Sequence, residues 1–308
     1  MKILVTGAAG FLGSHLVARL LNDGHQVIGI DDLSTGMVKN IKIHPKFKFI
    51  NHDIRDFEVP DVDFIYNLAS PASPIHYQLN PVKTFETNII GIINLLKAAK
   101  NKKIKIIQAS TSEVYGDPLE NPQVESYWGN VNPIGLRACY DEAKRASETI
   151  CFDYLRQFGV DVRIVRIFNT YGPNMAIGDG RVVSNFIVQA LRNQEITVYG
   201  NGEQTRSLCF ASDLIEALIR VMEMKENPKT PINIGNPNEI KVKDLAIKIV
   251  SLAKSKSIIN YKKLPEDDPK QRKPDITLAK SLLHWEPKIN LDEGLSNTVK
   301  YFRDELGK

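Results

Sequence analysis

Thr111-Ser112-Glu113 and, twenty-nine residues after Thr111, Tyr140 with Lys144 one turn beyond it are residues suited to moving a proton on and off an oxygen. A Tyr and a Lys four apart on a helix share a face. A free phenol has a pKa of about 10, and each unit of depression needs roughly 1.36 kcal/mol of preference for the phenolate. A neighbouring ammonium supplies such a preference, and the phenol can then act as a base near neutral pH. Thr111 and Ser112 add hydroxyls and Glu113 a carboxylate, the groups that hold and protonate a sugar. The set points to redox chemistry on a polyhydroxylated substrate. The spacing alone is weak: among ten tyrosines, about one Tyr-x-x-x-Lys arises by chance, usually a surface lysine beside a half-buried ring.

The N-terminus strengthens it. Residues 2–6 (Lys-Ile-Leu-Val-Thr) read as an apolar strand, followed by Gly7, Gly10 and Gly13 in Gly-x-x-Gly-x-x-Gly. A helix with apolar Leu16, Val17, Leu20 and Leu21 comes next, then the turn Asn22-Asp23-Gly24-His25, then strand 26–30 ending on Asp31. Strand, glycine turn, helix, strand and acid make a complete βαβ dinucleotide unit. The glycines let backbone N–H groups approach a pyrophosphate at the positive end of the helix. Asp31 can accept from both adenosine ribose hydroxyls and would repel a 2′-phosphate, so the expected cofactor is NAD and not NADP. Its nicotinamide cation would further favour a Tyr140 phenolate.

Composition sets bounds. The 308 residues, 43% hydrophobic, can bury one large core or two modest ones. The net charge of +4 is spread along the chain with no long basic block, so nucleic acid is not expected as a partner. Cys139, Cys151 and Cys209 have no metal-ligand spacing and are odd in number, which suits buried thiols in a reducing compartment. No metal site is expected. No signal peptide and no apolar run of membrane length is visible, so no membrane partner is expected and the protein is expected in the cytoplasm.

Strands alternate with helices well past the first unit. Strand 47–50 leads to Asp53, strand 64–68 to Ser70, and a helix over about 81–100 precedes strand 105–108 and the Thr111 segment. The Tyr-Lys helix covers about 139–158, and strand 161–167 leads to Asn169. The pattern predicts an α/β fold, a Rossmann-type doubly wound parallel sheet with a smaller C-terminal substrate-binding lobe. Ligands of such sheets lie beyond the strand C-termini. Gly7, Asp31, Asp53, Ser70, Thr111 and Asn169 all fall there and should converge on one crevice. After Tyr171-Gly172-Pro173 the pattern is irregular until a strand–helix pair over 208–224 and a strand over 232–235, which look like a return to the sheet. From about 236 onward two helices and the polar, Pro-rich stretch 265–274 are expected. The expected division is therefore residues 1–171 plus 208–235 for the NAD-binding domain and 172–207 plus 236–308 for the lobe.

On these residues the chain resembles the nucleotide-sugar branch of the extended short-chain dehydrogenase/reductase superfamily, and more narrowly the UDP-glucuronate decarboxylases (UDP-xylose synthases). The similarity runs over essentially the whole chain. Its specific pieces are Ser70-Pro-Ala-Ser-Pro-Ile-His-Tyr77, Thr111-Ser-Glu-Val-Tyr-Gly-Asp-Pro118, Tyr127-Trp-Gly-Asn-Val-Asn-Pro-Ile-Gly135, Cys139-Tyr-Asp-Glu-Ala-Lys-Arg145 and Arg166-Ile-Phe-Asn-Thr-Tyr-Gly-Pro173. It continues in segments 179–186 and 267–276. Two departures stand out: Ala8 where many relatives have another glycine, and Asp32 where Asn is usual, an added charge that would weaken NAD binding slightly.

The resemblance implies a cofactor set of Gly7, Gly10, Phe11, Leu12, Gly13, Asp31, Asp32, Ser34, Thr35, Gly36, Asp53, Ile54, Leu68, Ser70 and Thr87, together with Tyr140 and Lys144. It implies UDP-glucuronate as substrate, held by Asn169, Arg181, Asn185, Tyr199, Gln204, Arg206 and Arg272, with the arginines on the anionic groups and Tyr199 on uracil. In the implied reaction Tyr140 deprotonates the sugar 4-hydroxyl, Lys144 lowers the phenol's pKa, and Thr111 holds the 4-oxygen. The 4-keto acid loses CO₂, C5 is protonated by Glu113 (directly or through water) or by Tyr140, and reduction regenerates NAD. Ser112 stands where dehydratases of this superfamily carry Asp, which argues against water elimination. Epimerases usually lack a Glu at position 113. A decarboxylase that releases a 4-keto pentose and NADH stays open as the alternative, as does a UDP-sugar 4-epimerase. A non-catalytic NAD sensor is disfavoured by Thr111, Glu113, Tyr140 and Lys144 occurring together. A homodimer through the helices near 81–100 and 140–158 is also implied.

Overall fold

The computed structural model describes residues 1–263 and 271–308. Strand β1 (Lys2–Thr6), helix α1 (Phe11–Asn22) and strand β2 (Gln26–Asp31) form the expected βαβ unit. Leu16, Val17, Leu20 and Leu21 form the buried stripe of α1, each side chain contributing about 1.5–3 kcal/mol. Gly24, with φ of +85°, turns the chain back into β2. Strands β3 (Phe47–Asn51), β4 (Phe64–Asn67), β5 (Lys105–Thr111) and β6 (Val162–Ile167), with the strand Ile232–Ile234, complete a parallel sheet. From one edge its order is Ile232–Ile234, β6, β5, β4, β1, β2, β3. The register sets Thr6 opposite Asn67 and Ile30, and Thr111 opposite Ile167, so the C-terminal ends lie along one edge.

Helices α2 (Pro74–Leu79) and α3 (Pro81–Lys102) lie between β4 and β5, and α4 (Ala138–Phe158) between β5 and β6. Pro81 occupies the first turn of α3, and the Asn80 side chain accepts from Lys83 N at 3.3 Å. Tyr140, Ala143, Lys144, Ser147 and Cys151 form the buried stripe of α4, so the 3.6-residue period that packs this helix also points the Tyr-Lys pair inward. Helix α2 is an addition to the sequence reading: six residues are too few to show a helical period.

A second core lies around α5 (Val182–Leu191) and the helices Val242–Ala253 and Leu291–Glu305, with Phe186, Ile196, Leu245, Leu295 and Phe302 buried together. Helix α6 (Ala211–Glu223) joins the sheet-side core through Leu214, Leu218 and Val221. Two corrections to the sequence reading follow. Beyond residue 236 a third helix, Thr277–Leu283, joins the two expected; it buries only Ala279 and Leu283, too short an apolar repeat to stand out. Ile276, Ala279, Leu283 and Trp285, expected in the lobe, pack into the sheet-side core, where Trp285 Nε1 donates to Asp213 O at 3.0 Å. Residues 264–270, including part of the Pro-rich stretch and of the 267–276 run, lie outside the described residues.

Candidate active site

A cleft of about 670 Å³ runs along the C-terminal edge of the sheet, between it and the second core. The first wall is the glycine turn. Helix α1 begins after Gly10, which has no side chain to cap its first amides, so the N–H groups there are left for an anion. A Cβ on Gly13 would sit 1.9 Å from Gly7 O and one on Gly7 2.8 Å from Leu68 O, so both glycines are required by close backbone packing. Phe11 and Leu12 line the same wall.

Asp31 closes the far side of this turn. Its Oδ2 accepts from Ala9 N at 3.0 Å and its Oδ1 from Leu33 N at 2.9 Å, which fixes the carboxylate at the tip of β2. Burial pushes its pKa up against the pull of these amides. Among the described residues no cation pairs with it. Asp32 does have one: its Oδ2 accepts from Lys83 Nζ at 2.6 Å, and its Oδ1 from Ser34 N and Oγ. Asp53 is likewise paired, with Arg55 at 2.9 Å. Thr35, Ile54, Ser70 and Thr87 line the same half, as does Leu68, whose N–H donates to Thr6 Oγ1 at 3.1 Å. Gly36 is the one residue of the expected set off the lining; a Cβ there would meet Asp31 Oδ1 at 2.6 Å. A free carboxylate at the strand tip, uncapped amides at a helix N-terminus and glycines where a side chain would intrude fit a dinucleotide without a 2′-phosphate.

Thr111, Glu113, Tyr140 and Lys144 all line the cleft. Lys144 Nζ donates to Ala109 O at 2.9 Å and lies 5.7 Å from the centre of the Tyr140 ring. Burial pulls the ammonium down to about 8, opposed by the charges of Cys151 and Glu148. The phenol departs from expectation. Burial raises the Tyr140 pKa in the protein itself; the Thr111 hydrogen bond opposes this, and Glu113 and Asp141 add to the rise. Desolvation of a phenolate in this apolar, stacked position outweighs the help expected from Lys144. Tyr77 stacks on Tyr140 at 5.1 Å between ring centres with planes 5° apart, and its own hydroxyl is buried with no hydrogen-bond partner in the protein.

Glu113 is clamped. Its Oε2 accepts from Arg137 Nη2 at 2.5 Å and Arg272 Nη2 at 2.6 Å, and its Oε1 accepts from Arg272 Nη1. Although burial alone would raise it, the charges of Arg272 and Arg137 hold this carboxyl well below its usual range. Two expectations change here. Glu113 stays ionised with both oxygens occupied, so it is not a direct proton donor. Arg272 reaches the reacting end of the cleft, bound to Glu113, instead of standing only with the nucleotide-facing side chains.

The other expected substrate residues also line the cleft. Arg181 is held bidentate by Asp179 and lies 5.3 Å over the Phe11 ring, between the helix N-terminus and the second core. Asn185 Nδ2 donates to Gly180 O at 3.0 Å, and Gln204 Nε2 to Tyr199 O at 2.6 Å. Arg206 Nη1 donates to Thr205 O at 2.8 Å, and Asn169 lies on the sheet edge. Arg137 and Tyr77 were not singled out from the sequence. Arg137 lies three residues before Tyr140 and Tyr77 ends the Ser70–Tyr77 run, so both stood next to recognised pieces. Among the described residues there is no group of three or more His, Cys, Asp or Glu that could hold a metal, and no helix is long and apolar enough to cross a membrane.

A family profile described as GDP-mannose 4,6 dehydratase matches residues 4–298. UDP-glucuronic acid decarboxylase 6 of Arabidopsis thaliana is 55% identical over 311 residues, covering 100% of this chain and 90% of its own. UDP-glucose 4-epimerase of Thermotoga maritima, solved with UDP-glucose, superposes with a TM-score of 0.92 at 32% identity, over 99% of this chain and 100% of its own. UDP-glucuronic acid 4-epimerase of Bacillus cereus, solved with UDP-glucuronic acid and NAD, superposes with a TM-score of 0.88 at 31% identity, over 99% and 100% of the two chains.

Proposed function

The chain belongs to the GDP-mannose 4,6 dehydratase family of extended short-chain dehydrogenases/reductases, and from that premise we propose that it is an NAD-dependent UDP-glucuronate decarboxylase that forms UDP-xylose. The observation that carries the reading is the Glu113 clamp beside Tyr140. Glu113 draws the guanidiniums of Arg137 and Arg272 together. Asp141, 3.9 Å from Arg137, is pushed up to about 8 by burial and by the charge of Glu113. Near neutral pH the cluster therefore keeps a positive balance where the substrate's carboxylate must sit. Relatives more than half identical over the whole chain and named for this decarboxylation support it.

Bound NAD supplies a two-electron acceptor and donor at C4. Tyr140, as the phenolate that a bound nicotinamide cation would favour against the burial that raises its pKa, would take the proton of the 4-hydroxyl, and Thr111 would hold the 4-oxygen. The resulting 4-ketone makes the carboxylate that of a β-keto acid, which loses CO₂ as its electrons run into the ketone. Thr111 and Tyr140 stand where the enolate charge gathers. Each turnover takes up one solvent proton at C5, because a carboxylate leaves as CO₂. Glu113, ionised, orients the water that delivers it. Tyr140 returns its proton to the 4-oxygen when C4 is reduced, and NAD is recycled.

Val82, Phe85 and Ile90 on α3 and Phe158 on α4 are exposed apolar side chains and support a homodimer through these helices. Cys139, Cys151 and Cys209 are free, which supports a reducing, cytoplasmic setting. The test is NMR of the purified protein with UDP-glucuronate and catalytic NAD in D₂O. UDP-xylose carrying one deuterium at C5, with no net NADH, is expected. A 4-keto pentose with stoichiometric NADH identifies the oxidative decarboxylase, and UDP-galacturonate the epimerase; either overturns the proposal.

A further inference from the structure

The adenosine end of the cleft brings together three carboxylates, Asp31, Asp32 and Asp53, against a ligand that itself carries a pyrophosphate. Two of the three are paired with cations. Asp53 shares Arg55 with Glu86, whereas Lys83, reaching from the first turn of α3, is given to Asp32 at 2.6 Å. Lys83 is not part of the cleft lining. Its ammonium is held to the one oxygen of Asp32 that Ser34 leaves free, because Ser34 N and Oγ both use Oδ1. Among the described residues Asp31 is left as the carboxylate without a cation, held by backbone amides and available to ribose hydroxyls.

Granted that the dinucleotide is NAD, as proposed above, we infer that Lys83 is a cofactor-affinity and cofactor-selectivity residue that acts through Asp32. It cancels a negative charge that would otherwise repel the dinucleotide. It also tethers the Asp32–Gly36 loop to the N-terminal turn of α3, directly after the α2 segment that carries Tyr77. Without Lys83, Asp32 adds one uncompensated charge at the cleft rim. The ordinary cofactor, with one net negative charge, is weakened; the 2′-phosphorylated one, with roughly two more, is weakened further. The Asp32 substitution noted in the sequence is therefore offset by Lys83 and does not by itself weaken NAD binding.

The test is a double-substitution cycle read by calorimetric NAD affinity, with NADP and UDP titrated alongside. Lys83→Met is expected to weaken NAD about five-fold and NADP more, the size of one unit charge at partly screened range. Raising the salt to about 1 M should shrink both effects. Asp32→Asn combined with Lys83→Met is expected to restore NAD affinity to within about two-fold of the unaltered protein, with UDP affinity unchanged throughout. Restoration in the double variant excludes misfolding as the cause of the single one. Equal NAD affinity in the Lys83→Met and unaltered proteins, or no restoration in the double variant, overturns the inference. Failure of the unaltered protein to bind NAD would instead overturn the functional reading beneath it.

Discussion

Replacing Lys144 by Met should abolish turnover and at the same time make the protein more stable. Lys144 is 3% exposed, and burial brings its ammonium from 10.5 down to about 8. At about 1.36 kcal/mol per pH unit, keeping it charged at pH 7 costs the fold about 3 kcal/mol. Met has a similar shape and no charge to desolvate. It loses the hydrogen bond to Ala109 O, which returns about 1 kcal/mol of that gain. The net expectation is about 2 kcal/mol in favour of the variant at pH 7. The sign of the pH dependence follows from the lowered value. Between about 8 and 10.5 the unfolded chain binds this proton and the folded chain does not, so the native protein gains stability as pH rises through that window. The advantage of Lys144→Met is therefore full below about 8 and is gone by about 10.5, leaving only the lost hydrogen bond. Urea unfolding of both proteins at pH 7, 8.5 and 9.5, without added cofactor, reads the difference directly. A variant less stable at pH 7, or a difference that does not change with pH, would refute the reasoning.

Two further outcomes are expected. Glu113→Gln leaves two buried guanidiniums short of their counter-charge and should cost about 3–5 kcal/mol at pH 7 by denaturant unfolding, with decarboxylation lowered at least about 100-fold. Because the folded carboxyl titrates below its unfolded value, its contribution is present above about 4.5 and fades as the pH falls toward the folded value; stability unchanged at pH 7 would show that the clamp is not formed. Tyr77→Phe removes a buried hydroxyl with no partner in the protein, so stability should hold or rise by up to about 1 kcal/mol. Tyr77 also lines the cleft against Tyr140. If its hydroxyl turns to the bound sugar, the KM for UDP-glucuronate should rise up to about ten-fold, the worth of one hydrogen bond; a destabilised variant with unchanged KM would assign the hydroxyl a purely structural part.

The cofactor half was legible because its causes are local. Gly7 and Gly13 answer to contacts within a few residues or across one strand pair, and Asp31 follows from where β2 ends. Tyr140 and Lys144 share one helical face, so their joint burial follows from the period of α4. The Glu113 clamp was not legible. It joins residues 24 and 159 positions apart, and the second arginine arrives on a segment whose packing against the sheet has no periodic signal. The same distance hid Lys83: Asp32 looked like an uncompensated charge because its partner lies 51 residues away on another element. The phenol's pKa moved against expectation for a related reason, since spacing shows that Lys144 is near but not how dry the site is.

The second core has an order of assembly written into it. Its buried side chains come from 171–208, from Val242–Ala253, and finally from Leu295, Val299 and Phe302 on Leu291–Glu305. Synthesis runs from the N-terminus, so the sheet with its glycine turn, Asp31 and Tyr140 can assemble while the last of these apolar side chains are still unmade. Until the helix Leu291–Glu305 is made, the second core shows an open apolar face to its surroundings, the kind of surface on which nascent chains aggregate or recruit chaperones. The glycine turn and Asp31 are thus on the chain well before the side chains that close the second core.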